Sequence, residues 1–378
     1  MNLIRRDHDV VTGRNDLEPL HSFKQFPVFM GCVEEAPVND LFADMEWQIS
    51  RSSGLIQLNP VLPLDIIYQI GHGSGSTGLL WDRHHEAFAR FANMFSPRAV
   101  LEIGGCHGIL AQKYLAISSI DWTIVEPNPM PVAGLNARII KGFFDEHFRY
   151  EAPFDAVVHS HVFEHIYEPD TFMQQLAGFM DEGKMLIFSV PNMEVMLQRK
   201  YTNCINFEHT VFLTEPYIEH LLARHGFHLL KKEYFLDDHS IFYAARRDRS
   251  VPQQDLSPGL FVKNRQMYLD YIDYHHDLIR RLNNLILATG KPVYLFGAHV
   301  FSQYLLAFGL NSSKIVCLLD NDPNKQGKRL YGTPLSVQSP KVLREVAEPL
   351  VILKAGVYNE EVRLDILSDI NPDTEFVE

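Results

Sequence analysis

The sequence contains few cysteines, and none of them form a closely spaced pair. Its four cysteines, Cys32, Cys106, Cys204 and Cys317, lie far apart in a chain of 378 residues. Disulfide frameworks and thiolate zinc sites both need clustered cysteines. The spacing therefore disfavours both and indicates reduced thiols.

Long apolar runs and a surplus of positive charge are missing too. No segment approaches the roughly 18 apolar residues of a membrane-spanning helix, and residues 1–16 lack the apolar core of a secretion signal. Lys and Arg total 34 against 47 Asp and Glu, a formal charge of −13, which disfavours a nucleic acid partner. We therefore expect a cytoplasmic protein that binds neither membranes nor nucleic acid.

The length of the chain predicts more than one domain, because a single core seldom grows beyond about 250–300 residues. We expect an N-terminal lobe of loops and short strands over residues 1–85, an α/β domain over residues 86–250 and a second, Rossmann-like α/β domain over residues 251–378. Strand and helix patterns alternate in both larger domains, which predicts doubly wound parallel sheets. A long amphipathic helix is predicted near residues 268–288.

One glycine-rich turn suggests a ligand. Residues 100–108 read VLEIGGCHG, and a second predicted strand ends at Glu126 in the sequence WTIVEPNP. In a βαβ unit the glycines of the first turn, here Gly104, Gly105 and Gly108, let the backbone approach a ligand closely. The acid that ends the second strand accepts hydrogen bonds from ribose hydroxyls. The arrangement predicts a ligand with a ribose, either a dinucleotide or S-adenosylmethionine.

The turn departs from the GxGxxG pattern of dinucleotide sites, and Glu102 before it suits a positively charged ligand better than a pyrophosphate. It resembles motif I of class I S-adenosylmethionine-dependent methyltransferases, with Cys106 in place of the middle glycine. The segments FDAVVHSHVFEHIYEP and GKMLIFSVPN resemble the fourth and fifth strands of the same family. The resemblance implies a class I methyltransferase sheet and places Glu102, Glu126, Phe144 and His161 beside the cofactor with the three glycines.

Three histidines in the fourth-strand segment allow a metal-binding interpretation. His159, His161 and His165 form an HxHxxxH pattern, and the first two would share one face of a strand. We favour the interpretation that His159 and His161 are polar lining at the edge of the sheet and that His165 is a hydrogen-bonded residue. No metal is predicted.

The last third of the chain resembles a more specific family of methyltransferases. The segments YLFGAHVFSQYLL and LLDNDPNKQGKRLYGTPLSVQSP are similar to the C-terminal domain of the sugar C-methyltransferase family. Members of that family combine an N-terminal zinc-binding module, a methyltransferase domain and a Rossmann-like domain, and they methylate a carbon beside the ketone of nucleotide-linked sugars. The resemblance implies that Gly297, Asp320 and Lys325 lie on the side of the nucleotide-sugar substrate.

The resemblance also assigns a base. The sequence NFEH at residues 206–209 matches a family YHEH segment, so His209 is expected to be the catalytic base and Glu208 its neighbouring acid. An imidazole that titrates near neutrality suits this role. Asn206 replaces the family tyrosine, and it and His239 are expected on the substrate side.

The N-terminal lobe departs from the family pattern. SRSSGLIQL stands where the family has CxxCGLVQL, with Ser50 and Ser53 in place of the thiolates. Serine does not replace thiolate as a structural zinc ligand, so no zinc is expected. His72 lies near the place of a family tyrosine that meets the sugar, and it is expected on the substrate side.

Together these features predict an S-adenosylmethionine-dependent methyltransferase that acts on a nucleotide-activated keto sugar, with S-adenosylhomocysteine as product, in surface polysaccharide or specialised sugar biosynthesis. The altered N-terminal lobe keeps open an O-methyltransferase that acts on a sugar or another nucleotide-linked small molecule. A non-catalytic binding subunit and a dinucleotide-dependent dehydrogenase or epimerase are less favoured. The sequence leaves the sugar, the nucleotide and the choice between a monomer and a small homo-oligomer open.

Overall fold

The computed structural model describes residues 2–67 and 78–378. His72 lies outside the described residues, so its expected place at the substrate stays a prediction. Among the residues that the structure describes, none of the helices combines the length and the apolar composition needed to cross a membrane.

The N-terminal lobe is built on a three-stranded sheet of order β1-β3-β4. Its strands and helix are β1 (Leu17–Pro27), β2 (Cys32–Val33), β3 (Phe42–Ser50), β4 (Ile56–Leu58) and α1 (Leu64–Ile67). Strand β1 has 11 residues, which is longer than the short strands expected. Two register shifts, between Pro19 and His21 and between Phe23 and Phe26, interrupt its alternation of apolar and polar residues. The sequence pattern of this strand is therefore irregular.

The central domain carries a seven-stranded sheet of order β10-β11-β9-β8-β5-β6-β7. Its strands are β5 (Ala99–Ile103), β6 (Asp121–Glu126), β7 (Arg138–Lys141), β8 (Ala156–Ser160), β9 (Met185–Pro191), β10 (Phe227–Phe235) and β11 (Ser240–Arg247). Strands β5 to β9 run parallel, whereas β11 pairs antiparallel with both β9 and β10. This order, with one reversed strand, is that of the class I methyltransferase sheet, and it confirms the predicted fold class.

Helices cover both faces of this sheet, as a doubly wound sheet requires. They are α2 (Leu79–Asn93), α3 (Ile109–Leu115), α4 (Pro169–Phe179) and α6 (Glu215–Arg224), with a 3₁₀ turn at Phe163–His165. Helix α5 (Met193–Gln198) follows β9 and packs into a different apolar core, with residues of the N-terminal lobe. One apolar core forms between the sheet and α4 and α6, and another forms between the sheet and α2 and α3. The carboxyl ends of the parallel strands and the start of β11 therefore meet at one edge of the sheet.

The C-terminal domain contains a second parallel sheet, of order β15-β13-β12-β16-β17. Its elements are α7 (Leu260–Ala288), β12 (Val293–Phe296), α8 (Val300–Ala307), β13 (Ile315–Leu319), β14 (Arg329–Leu330), β15 (Val337–Gln338), β16 (Leu350–Leu353), α9 (Asn359–Asp365) and β17 (Glu375–Val377). Helix α7 begins earlier than predicted, because Leu260, Asn264 and Met267 extend its buried stripe. Short 3₁₀ helices lie at Pro37–Asn39, Ser312–Lys314, Pro340–Glu345 and Gly356–Tyr358, and a π-helix at Ile366–Ile370.

The N-terminal lobe and the C-terminal domain share one apolar core, which we call the outer core. It includes Trp47 from β3, Tyr268 from α7 and Tyr304 from α8, together with Phe207 from the loop before α6. Strand β2 of the N-terminal lobe also pairs with β14 of the C-terminal domain. The N-terminal lobe and the C-terminal domain are therefore packed directly against each other.

Hydrogen bonds hold the turn where the family has zinc-binding cysteines. Ser50 Oγ donates to Asp16 Oδ1 at 2.7 Å, and the Ser53 hydroxyl donates to Asp9 Oδ2. Structural zinc sites use thiolate and imidazole ligands, and these four side chains offer neither. They do not fit a structural zinc ion.

Candidate active site

The glycine-rich turn follows β5 and enters α3. Gly104 and Gly108 have φ angles of 73° and 70°, and Cys106 between them has a φ of 42°. A Cβ atom at Gly104 would lie 2.6 Å from Val162 Cγ2, and one at Gly108 would lie 2.4 Å from Leu135 Cδ2. Glycine is therefore needed at both positions, for its backbone conformation and for close packing.

Glu126, at the end of β6, holds this turn through hydrogen bonds to its backbone. Its Oε2 accepts a hydrogen bond from the backbone N–H of Cys106 at 3.1 Å, and its Oε1 accepts one from the N–H of Asn128 at 2.9 Å. A carboxylate oxygen has two lone pairs, so each oxygen retains acceptor capacity. The carboxylate can meet a hydroxyl-bearing ligand without releasing the turn.

Glu102 lies beneath the turn and is almost completely buried. The indole Nε1 of Trp122 donates to Glu102 Oε2 at 2.7 Å, and a Cβ atom at Gly105 would lie 3.0 Å from the Glu102 carboxyl carbon. Burial raises the pKa of Glu102 to about 7, against the Trp122 hydrogen bond, which lowers it. The structure thus places Glu102 in the floor of the turn, bonded to protein.

Phe144 packs in an aromatic cluster. Its ring centroid lies 5.2 Å from that of Phe179, 5.5 Å from that of Phe148 and 6.0 Å from that of Phe172. Its exposed neighbour is Phe143. Phe144 is partly buried and packs against the core between the sheet and helices α4 and α6.

The histidines of the fourth-strand segment separate at the carboxyl end of β8. The His159 ring is buried and stacks on Phe188, with ring centroids 4.9 Å apart. His161 has a φ of 53° and meets other rings, those of Trp81 and His84. The turn at His161 breaks the strand alternation, so the HxHxxxH residues do not form one group.

A compact group at this edge contains the expected base. Potential ligand atoms of Glu164, His165 and His209 all lie within 4.8 Å of one another. The rings of His165 and His209 meet edge to face, with centroids 4.7 Å apart. The fourth-strand segment and the NFEH segment are therefore brought together in space.

The loop that carries His209 is held by Asn206. Asn206 Oδ1 accepts hydrogen bonds from the backbone N–H groups of Glu208 and His209, at 2.8 and 3.0 Å. His209 Nδ1 donates to the Cys204 carbonyl at 3.2 Å, which leaves Nε2 as the acceptor of a neutral ring. Asn206 is buried, so the structure gives it a positioning contact within the protein.

The charges of this group depend on burial. Burial lowers the pKa of His209, and the Glu164 carboxylate opposes that shift. Burial also acts to raise the pKa of Glu164, but the facing histidines, His161 first, hold it at about 2. Burial raises the pKa of Glu208 to about 7. Near neutral pH the group thus combines an ionised Glu164 with a neutral His209.

His239 belongs to a second group on the other side of His161. Potential ligand atoms of His84, His161 and His239 lie within 4.8 Å of one another. The Trp81 ring lies against this group, and its indole N–H donates to the Tyr358 hydroxyl at 3.0 Å. The C-terminal domain therefore contacts this edge of the sheet.

The predicted substrate residues of the C-terminal domain form one hydrogen-bonded turn. Asp320 Oδ2 accepts hydrogen bonds from the backbone N–H of Ala298 at 2.9 Å and from Lys325 Nζ at 3.0 Å. Gly297 has a φ of 99°, and its carbonyl accepts a bond from the Ser302 hydroxyl. The structure brings Gly297, Asp320 and Lys325 together at the ends of β12 and β13.

Sequence reasoning missed His84 and gave Glu164 no role. His84 shares the buried face of α2 with Phe88 and Phe91, at helical spacing. That spacing could have marked His84 as an inward-facing residue. Its meeting with His161 and His239 depends on the packing of α2 against the sheet and has no local sequence signal.

Two family models match the chain in succession. Residues 79–232 match a model described as a methyltransferase domain, and residues 262–370 match one described as a C-methyltransferase C-terminal domain. No curated protein matches the sequence.

Solved structures of methyltransferases resemble part of the chain. Human N-acetylserotonin methyltransferase in complex with SAM has 12% identity and a TM-score of 0.37, covering 45% of this chain and 53% of that one. Magnesium protoporphyrin IX methyltransferase from Synechocystis PCC 6803 has 15% identity and a TM-score of 0.37, covering 47% and 91%. An O-methyltransferase family protein from Burkholderia thailandensis has 12% identity and a TM-score of 0.36, covering 46% and 58%. The family models and the sheet order identify the chain as a methyltransferase, in which a methyltransferase domain is joined to a C-methyltransferase C-terminal domain.

Proposed function

We propose that the chain methylates a carbon of a nucleotide-activated keto sugar and uses S-adenosylmethionine as methyl donor. The observation that carries the proposal is the geometry of His209, whose Nδ1 donates to the Cys204 carbonyl while Glu164 lies beside the ring. This is the arrangement of a positioned base with its orienting groups. The match to a C-methyltransferase C-terminal domain supports carbon as the acceptor.

The turn after β5 supports the choice of cofactor. Gly104 and Gly108 take the left-handed backbone angles that shape this turn, and Glu126 keeps acceptor capacity for ribose hydroxyls. These residues fit S-adenosylmethionine. When bound, it supplies an electrophilic methyl group to the acceptor carbon and leaves as S-adenosylhomocysteine.

Residues of the chain remove the proton of the acceptor carbon and stabilise the charge that results. The Nε2 atom of neutral His209 removes the proton from the carbon beside the ketone, and the electron pair left on that carbon forms the new bond to the methyl group. The resulting imidazolium is stabilised by the ionised Glu164 carboxylate beside it. Asn206 keeps the loop, and with it the ring, in place. On a hydroxyl acceptor the same base would give an O-methyl product.

Substitution of His209 tests the base. We expect His209→Ala to lower turnover by at least about 100-fold, the contribution of a general base, while S-adenosylmethionine affinity measured by calorimetry stays unchanged. His228→Ala, which removes an exposed histidine of β10, is the control and should retain full turnover. Unchanged turnover of His209→Ala would remove this residue from the mechanism.

Binding and product analysis test the rest. Calorimetry should show binding of S-adenosylmethionine and S-adenosylhomocysteine and none of NAD or NADP. With nucleotide-linked keto sugars as acceptors, NMR should place the new methyl group on carbon. A methyl group on oxygen would establish the O-methyltransferase, and a chain that binds neither methyl-cycle ligand would contradict the proposal.

A further inference from the structure

Three imidazole side chains converge at the sheet edge from three separate elements. His84 comes from α2, His161 follows β8, and His239 precedes β11. Their ring centroids lie 5.0 Å apart for His84 and His161, 5.3 Å for His84 and His239, and 6.1 Å for His161 and His239. A potential ligand atom of each lies within 4.8 Å of the others. We call these three residues the imidazole cluster.

His84 is the member whose ring nitrogens have no hydrogen bonds. It is fully buried, and within the described parts of the chain neither Nδ1 nor Nε2 has a hydrogen-bond partner. Leaving a buried polar group without a hydrogen bond is unfavourable. A neutral imidazole with an available lone pair is the form that binds metal ions.

His161 is oriented as a metal ligand would be. Its Nδ1 lies 2.9 Å from Glu164 Oε1, and its Nε2 lies 2.9 Å from Ser240 Oγ, the hydroxyl that also meets His239. Histidine ligands commonly give their second ring nitrogen to a carboxylate, which fixes the ring and raises its basicity. Glu164 is buried beside the ring, close enough to take that carboxylate role when His161 is fixed by a metal.

A hydroxyl group links the other two rings. Ser240 Oγ lies 2.9 Å from His161 Nε2 and 2.6 Å from His239 Nδ1. His239 Nδ1 donates to Ser240, and the hydroxyl then donates to His161 Nε2. In this arrangement His239 Nε2 keeps a lone pair. Each of the three rings can offer one nitrogen as a ligand, His161 by exchanging the Ser240 hydroxyl.

We propose that His84, His161 and His239 bind one divalent first-row transition metal ion, with Glu164 as the carboxylate behind His161. Three imidazoles are a ligand set that zinc and related ions accept, and they leave a further position for a water or a substrate oxygen. Nitrogens about 2.0–2.1 Å from a zinc ion lie about 3.3 Å apart in a tetrahedron. The rings therefore need to approach by no more than about 1.5 Å, with His161 Nε2 exchanging the Ser240 hydroxyl for the metal.

The test measures metal binding directly and needs no methyl transfer. The full, untagged chain is stripped with a chelator and titrated with Co²⁺ and with Zn²⁺, by absorption spectroscopy and calorimetry. We expect one equivalent of each ion, with the d–d absorption of four- or five-coordinate Co²⁺. His84→Phe should weaken binding by at least about 100-fold, since it removes a ligand rather than an outer contact.

His159→Phe is the matched control. His159 is also buried, and neither of its ring nitrogens has a hydrogen-bond partner in the described structure, but it stacks on Phe188 outside the cluster. This variant should bind Co²⁺ as the unaltered chain does. Ser240→Ala should also keep one equivalent, because it retains the three imidazoles.

Two results would overturn the proposal: no binding of either ion by the unaltered chain, or equal Co²⁺ affinity and spectrum in His84→Phe. If His84→Phe melts at a lower temperature than His159→Phe, its loss of metal binding could come from a damaged fold. His239→Phe then removes a second ligand and should weaken metal binding by the same factor. S-adenosylmethionine binding is measured on the same samples. A chain that binds the methyl donor and no metal would contradict only the metal site.

Discussion

Glu164 connects the two histidine groups of the sheet edge. It is a buried carboxylate whose pKa is held at about 2, because His161, His165 and His209 face it and outweigh its burial. One of its oxygens lies 2.9 Å from His161 Nδ1, and it shares the group of His165 and His209. A change at this residue should therefore be measurable at the base.

The charge of Glu164 raises the pKa of His209, against the burial that lowers it. His209 acts as a base only when neutral, so kcat/KM falls as the pH decreases through this pKa. Glu164→Gln removes the opposing charge, and the pKa should fall further below 6.5. We expect the acidic limb of the kcat/KM profile to move to lower pH. Glu168→Gln, at a carboxylate that is 41% exposed, should leave the limb in place, and a shift to higher pH in Glu164→Gln would contradict this account.

At the scale of single residues, the sequence indicated which residues belong to the candidate site better than it indicated which groups they contact. A motif places Glu126 at the end of a strand and His209 in a loop, so both could be named from the sequence, and their roles stay predictions. Asn206 is buried, and Glu102 lies beneath Gly105. Both positions depend on which side of a turn faces the protein interior. The spacing of residues along the sequence does not determine that side.

Among the structural elements, the turn after Ser53 joins the N-terminal lobe to α7. Gly54 has a φ of 73°, and its carbonyl accepts a hydrogen bond from Asn264 Nδ2 at 3.0 Å. A Cβ atom at Gly54 would lie 2.4 Å from the backbone of Leu260 and Phe261. The first turn of α7 leaves no room for a side chain here.

Gly54→Ala should lower the free energy of unfolding by about 3 kcal/mol or more, from left-handed backbone strain plus a backbone contact that cannot relax. Gly134→Ala is the control, because Gly134 has a φ of 78° and open space around its Cα. It should show only the strain, about 1 kcal/mol. Urea unfolding measures both, and equal losses would show that the contact with α7 has no effect on stability.

The strands and helices of the two parallel sheets could be predicted because they are buried on both faces and therefore appear as continuous apolar runs. Strand β1 could not, because its bulges move side chains from one face to the other. The first turns of α7 contact Gly54 through Asn264, and these two residues are distant in sequence.

At the scale of the whole molecule, one ion pair fastens the N-terminal lobe to the C-terminal domain. Both guanidinium nitrogens Nη1 and Nη2 of Arg329 donate to the carboxylate of Asp40 at 2.7 Å, and Asp40 also accepts a bond from the Gly332 N–H at 2.8 Å. The two side chains are 10% and 2% exposed. Solvent therefore screens this pair little.

Asp40→Ala should lower the free energy of unfolding by about 3 kcal/mol, because it leaves a largely buried guanidinium and an N–H unpaired. Lys24→Ala, which removes an exposed partner of Asp44, is the control and should change the stability little. Urea unfolding compares the two variants, and hydrogen exchange at β2 and β14 reports whether the interface opens. A loss as small as that of the control would contradict this estimate.

The shared outer core has a consequence for how such proteins can be recombined. Phe207 inserts into this core beside Phe26, two residues before His209, and the Tyr304 hydroxyl of α8 donates to the Ile205 carbonyl. The segment that bears His209 is thus a structural part of the outer layers, although the chain order assigns it to the central domain. A chimaera that exchanges only the C-terminal domain would inherit a mismatched pocket for Phe207. Under the proposed function, an exchange of acceptor specificity has to transfer the N-terminal lobe, the C-terminal domain and this segment as one inherited unit.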